Sequence, residues 1–142
     1  MRMKQTVACT FPIPNDPDKG EVTIKHLSPG EVDDLQEKVA GIAMRLREGE
    51  DGRLVREGDV KQLHGDERYI VVTSCVVGWK NVRDPDGVDM ACDYAGIIRA
   101  CRDSEIEDEE GKIITFSEFV GRCRDKLAKQ VNARQEAAAK NS

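Results

Sequence analysis

Residues 6–31, TVACTFPIPNDPDKGEVTIKHLSPGE, decide the fold. Two segments rich in β-branched residues, 6–13 and 21–27, flank Pro14-Asn15-Asp16-Pro17-Asp18-Lys19-Gly20. In that cluster Pro presets φ, Asn and Asp bond their own backbone, and Gly accepts positive φ, which together predict a β-hairpin with a long loop. Ser28-Pro29-Gly30-Glu31 then supplies a helix start: a Ser N-cap, Pro at the first helical position, and a Glu placed to reach back to the cap. A helix to about Glu48 follows, because Val32, Leu35, Val39, Ile42, Ala43 and Leu46 recur at helical spacing as one apolar stripe. Gly49 is a suitable stop.

Downstream, residues 50–65 scatter Gly52, Gly58 and Gly65 among charges and read as an exposed, Gly-rich excursion. Residues 69–82 pull two ways. Ile70, Val71, Val72, Val76 and Val77 have strand propensity, whereas Val72, Cys75, Val76, Trp79 and Val82 follow helical spacing, with Asp66 as a possible cap. Periodicity decides for a helix. Arg83-Asp84-Pro85-Asp86-Gly87 is a turn, and Asp93 caps a short helix carrying Tyr94, Ile97, Ile98 and Cys101 on one face. The acidic residues 104–111 read as a surface connector. Thr115-Phe116-Ser117-Glu118 is a second capping box, opening a helix whose stripe is Phe116, Phe119, Val120, Cys123, Leu127 and Val131. Past Val131 the stripe dissolves and the end is expected to fray. The expected fold is therefore α+β, mainly α. It is a single domain (1–142) with an N-terminal β-hairpin (1–27), a helical body (28–131) of about four helices with its excursion at 50–65, and a mobile tail (132–142).

Composition narrows the function classes. Of 142 residues, 35% are charged against 39% hydrophobic, so the core is modest but the chain is too apolar to be wholly disordered. A net charge of −5 gives no general attraction to phosphate backbones or anionic lipid, which argues against nucleic-acid and membrane partners. The longest apolar run, 69–79, is broken by Thr73, Ser74 and Gly78 and falls short of the roughly 20 residues of a membrane span. The N-terminus lacks the continuous apolar stretch of a secretory signal, so cytosolic residence is expected.

No residue pattern stands out as a catalytic, cofactor or metal site. The five cysteines, Cys9, Cys75, Cys92, Cys101 and Cys123, are nowhere closer than Cys92 and Cys101, and His26 and His64 are isolated, unlike the close ligand pairs of structural zinc. Cys75, Cys101 and Cys123 sit on apolar helix faces and are expected as reduced core residues. Residues 84–89 resemble a calcium loop only superficially, since counting from Asp84 puts Asp89 and Ala95 where Gly and Glu are required. Nucleotide, acyl-transfer and metalloprotease motifs are absent from the sequence. Glu105, Glu107, Asp108, Glu109 and Glu110 read as solvated charges rather than paired catalytic carboxylates.

Two stretches, taken with their spacing, carry a family resemblance. One is the hairpin leading into Leu27-Ser28-Pro29-Gly30-Glu31 and its helix. The other is Val76-Val77-Gly78-Trp79-Lys80-Asn81-Val82, followed by Asp84-Pro85-Asp86-Gly87, a short helix and a longer terminal one. This pattern resembles the small tail assembly chaperones of long-tailed bacteriophages, and it covers most of the chain, with residues 50–65 as the departure. The resemblance implies a mainly helical fold, production in the cytoplasm of the host bacterium, and no cofactor. It further implies transient binding to the tape measure protein and the tail tube protein before the tube polymerises, and it leaves self-association open. Trp79, which best matches the pattern, is expected on physical grounds to be a core anchor. The competing classes are a minor structural tail or head-tail connector protein, and a cysteine-dependent enzyme with one exposed, acidic thiol.

Overall fold

The computed structural model describes residues 1–3, 5–48 and 65–140. The expected stop at Gly49 and the excursion up to residue 64 lie outside the described residues. Strands β1 (Ala8–Pro12) and β2 (Glu21–Lys25) form the N-terminal hairpin, in the register Cys9↔Ile24, Thr10↔Thr23, Phe11↔Val22. Period-2 alternation divides its faces. Val22 and Ile24 are fully buried, with Cys9 and Phe11 half-buried opposite them, while Thr10 and Thr23 meet on the other face with their hydroxyls 2.8 Å apart.

Helix α1 (Pro29–Glu48) starts as its capping box dictates. Glu31 N–H donates to Ser28 Oγ at 3.2 Å, and Ser28 N–H donates to Glu31 Oε1 at 3.1 Å. Lys25 from the end of β2 also pairs with Glu31, and that bond, with the Ser28 N–H, holds the Glu31 carboxyl below its ordinary pKa.

Residues 69–82 are not one helix. A 3-10 turn (Gly65–Tyr69) leads into the short helix α2 (Ile70–Cys75), and the chain then extends as strand β3 (Val76–Lys80), antiparallel to β2. The helical spacing of Val76 and Trp79 has another origin. β2 pairs Val22↔Trp79, Thr23↔Gly78 and Ile24↔Val76, so Val77 is the extra residue of a β-bulge. A bulge sets two residues opposite one and shifts the alternation. Val76 and Trp79, three apart, thus reach the same core-facing side of the strand while Val77 is 50% exposed. Asp66 is not the cap of α2, whose N-cap is Tyr69. The sheet order is β1-β2-β3.

Helix α3 (Tyr94–Asp103) begins at Asp93, whose Oδ1 accepts the Gly96 N–H at 2.8 Å. It buries Ile97, Ile98, Ala100 and Cys101; Tyr94, expected on that face, is 60% exposed. Gly96 is there for close approach: a Cβ would lie 2.2 Å from the Ala91 carbonyl oxygen and 3.3 Å from Trp79 Cζ2.

The acidic connector is instead a second hairpin, β4 (Glu105–Glu107) with β5 (Ile113–Thr115). Its central pair, Ile106↔Ile114, is buried and gives the short strands a reason to form, while Glu105, Glu107, Glu109 and Glu110 face solvent. Asp108 does not face solvent, being 3% exposed. Helix α4 (Phe116–Lys140) follows at once, with Thr115 Oγ1 accepting the Glu118 N–H at 3.1 Å. Its expected stripe packs as read: Phe116, Phe119, Val120, Cys123 and Leu127 are buried and Val131 is half-buried. Helix continues past Val131 to Lys140, with the side chains of 132–137 exposed.

The architecture is thus α+β and mainly α, with a hairpin-led three-stranded sheet against which α4, α2 and α3 assemble one core. Ile24, Leu127, Val22, Val120, Cys75 and Cys123 form its centre. Among the described residues, no helix is long and apolar enough to cross a membrane.

Candidate functional site

Three loops share one construction. In each, an Asp side chain accepts two backbone N–H groups, two and four residues ahead, and its carbonyl accepts the N–H three ahead. Asp16 holds Asp18 (3.3 Å) and Gly20 (2.7 Å); Asp84 holds Asp86 and Val88 (both 2.9 Å); Asp108 holds Glu110 (2.9 Å) and Lys112 (2.8 Å). The backbone bonds are Lys19 to Asp16 at 3.1 Å, Gly87 to Asp84 at 2.9 Å and Gly111 to Asp108 at 3.0 Å. The donor of each has positive φ: +54° at Lys19, +80° at Gly87 and +83° at Gly111. Two of the loops use Gly where an L-residue is strained, and the first uses Lys.

Asp108 does more than close its loop. Its Oδ2 accepts Arg122 Nη1 at 3.0 Å, and Asn15 Nδ2 donates to its backbone oxygen at 2.8 Å, tying the tip of the first hairpin to the second and to α4. The Lys112 N–H and the Arg122 guanidinium hold its carboxyl below the ordinary value. Its pattern, an Asp three residues before a Gly between β-branched or alternating segments, was the signal available in sequence, hidden by the surrounding glutamates.

The first two loops converge with α3 and β4 around a cavity of about 330 Å³. Ile13, Val82, Met90, Ile106 and Phe116 give it an apolar lining. Asp16, Asp18, Asp84, Asp103 and Glu105 stand around it with Arg83 and Arg99. Arg83 is engaged by Asp89 at 2.9 Å and Asp18 at 3.3 Å. These residues come from five separate segments, so no local motif announces the cavity.

Helix α1 offers a different kind of surface. Val32 is 36% exposed and Leu35 and Val39 are only half-buried, and none of residues 29–41 belongs to the buried core. Leu35 lies over a shallow hollow with Lys25, Leu27 and Ser74. The described part of the apolar stripe, Val32, Leu35 and Val39, is therefore only partly covered.

Trp79 is not the centre of the core. It stands half-buried on β3 at the core's margin, edge-on to Phe116 with ring centroids 6.2 Å apart, and its Nε1–H donates to the Met90 carbonyl at 2.8 Å. It anchors the 83–90 turn to the sheet. All five cysteines are free thiols, with Cys75, Cys101 and Cys123 buried as expected and Cys9 and Cys92 half-buried. Burial pushes the Cys75, Cys92 and Cys101 thiols up and Cys123 to about 11, so these four are protonated at neutral pH. Among the described residues no three His, Cys, Asp or Glu side chains gather as a metal site. Residues 84–89 form an ordinary turn, bridged by Arg83 and Asp89.

No family model, curated protein or solved structure matches the chain.

Proposed function

We propose that the chain is a tail assembly chaperone of a long-tailed bacteriophage. In this reading it binds the tape measure and tail tube proteins transiently in the host bacterial cytoplasm and leaves as the tube forms. The observation that supports it best is the partly covered stripe of α1. Val32, Leu35 and Val39 retain apolar surface on a helix that adds nothing to the core through residue 41. Each Å² of that surface covered by a partner is worth about 25 cal/mol. A helix face of this size suits reversible binding to an apolar groove or helix. The bond from Trp79 to Met90 also ties the Gly-Trp segment to the residues that follow the Asp-Gly turn. The reading involves no catalytic step and no cofactor.

The test is co-expression of the tagged chain with the tape measure and tail tube proteins of the same phage. Capture of either partner is expected. Leu35→Asp combined with Val39→Asp should abolish capture while leaving thermal unfolding close to that of the parent, because neither side chain is in the core. Finding the chain as a stoichiometric component of purified virions would overturn the proposal in favour of a structural tail or connector protein.

A further inference from the structure

We infer that the cavity between the first two Asp-closed loops, α3 and β4 is a second docking site. It would take a partner polypeptide segment that presents one apolar side chain flanked by cationic ones. The inference rests on the reading of the chain as a protein-binding module, but on a different surface from α1.

Size, lining and charge each restrict the occupant. At about 330 Å³ the cavity lies at the small end of ligand sites, which run from about 300 to 1,000 Å³, and suits a side chain better than a large cofactor. Phe116 and Ile106 belong to the buried core and Met90 and Val82 are half-buried, so the floor is a continuation of packed apolar side chains. The rim carries five carboxylates and two guanidinium groups, and five less two leaves three negative charges beside that low-dielectric floor. An anionic ligand is repelled. A neutral apolar group leaves Asp103 and Glu105, the two rim carboxylates not engaged by a loop N–H or by Arg83, unmatched, and a bare cation gains nothing from the floor. Asp16 and Asp84 are also held in place by two backbone N–H bonds each, so part of the rim is ordered before any partner arrives.

The experiment is calorimetric titration of the full chain with the capped peptide Gly-Lys-Leu-Arg-Gly. Comparison ligands are Gly-Gln-Leu-Gln-Gly, Gly-Lys-Gly-Arg-Gly and spermidine. Saturable binding of the first is expected, with each of the others weaker by about tenfold or more. Asp103→Lys combined with Glu105→Lys replaces two exposed rim carboxylates and should weaken the first peptide by at least about tenfold. Glu37→Lys, an exposed reversal on α1, should leave it unchanged. Circular dichroism of each variant checks that the fold persists. Absence of saturable binding overturns the inference, as does equal binding of the uncharged peptide or of spermidine, or indifference to the rim reversal. Because no phage protein enters this titration, its failure is distinct from a failure to capture the tape measure or tube protein.

Discussion

Replacing Lys19 by Gly should stabilise the protein, although it deletes a side chain and a charge. Lys19 holds φ at +54° in the position that Gly87 and Gly111 occupy in the two other Asp-closed loops. Left-handed backbone costs an L-residue about 1–2 kcal/mol, whereas a Gly gives back about 0.5–1 kcal/mol through its greater freedom in the unfolded chain. Taken at the middle of each range, the difference is a gain of ~0.75 kcal/mol. The loop's bonds survive the change, since Lys19 contributes backbone atoms: its N–H to the Asp16 carbonyl and its own carbonyl to Asn81 Nδ2 at 3.3 Å. Urea unfolding followed by the fluorescence of Trp79, the sole tryptophan, gives the midpoint and slope for parent and variant. Lys19→Ala is the control that removes the charge but keeps a Cβ, and it should show no comparable gain. Gly111→Ala runs the comparison backwards and should lose about 1 kcal/mol or more. If Lys19→Gly proves neutral or destabilising, or if Lys19→Ala matches it, backbone strain at residue 19 is not the cause.

Two helix glycines should respond to alanine with opposite signs. Gly121 faces open space and should gain up to about 1 kcal/mol from helix propensity, while Gly96, crowded by the Ala91 carbonyl, should lose about 1–3 kcal/mol, both by denaturant titration. The depressed carboxyl of Asp108 stabilises the fold fully above the ordinary carboxyl pKa near 3.8 and ceases to do so as pH falls through its lower folded value. Asp108→Asn should therefore be less stable than the parent at neutral pH, with the gap closing on acidification; a gap that is constant with pH would refute the assignment. Deleting residues 132–142 removes exposed side chains at 132–137 and should leave the thermal midpoint nearly unchanged. Loss of folding on that truncation would show that the end of α4 contributes to the packed body.

Local chemistry was legible in the sequence wherever the signal and its structural partner lie within a few residues. The Ser28–Glu31 box, the Asp93 cap, the first hairpin and the Phe116-to-Leu127 stripe all form as their residues predict. Two of the misreadings have definite causes. At β3, the bulge at Val77 put Val76 and Trp79 on one face at a spacing that imitates a helix. In residues 104–115, exposed glutamates concealed the alternation around Ile106 and Ile114, which bury each other across the strands. The cavity was illegible for another reason: its acids and its floor are remote in sequence and meet only when the two hairpins and α3 are docked.

The bulge and the prolines of the first hairpin also bear on aggregation. A three-stranded sheet has two edges, and an open edge invites strands from other chains. Here one edge is β1, which ends in Pro12, a residue without an N–H, with Pro14 two positions on. The other is β3, whose regular row of backbone groups is interrupted at Val77. Both edges are thereby poor templates for runaway strand addition, so the apolar surface left on Val32, Leu35 and Val39, which the proposed function gives to a partner, is not accompanied by a sheet that grows from molecule to molecule.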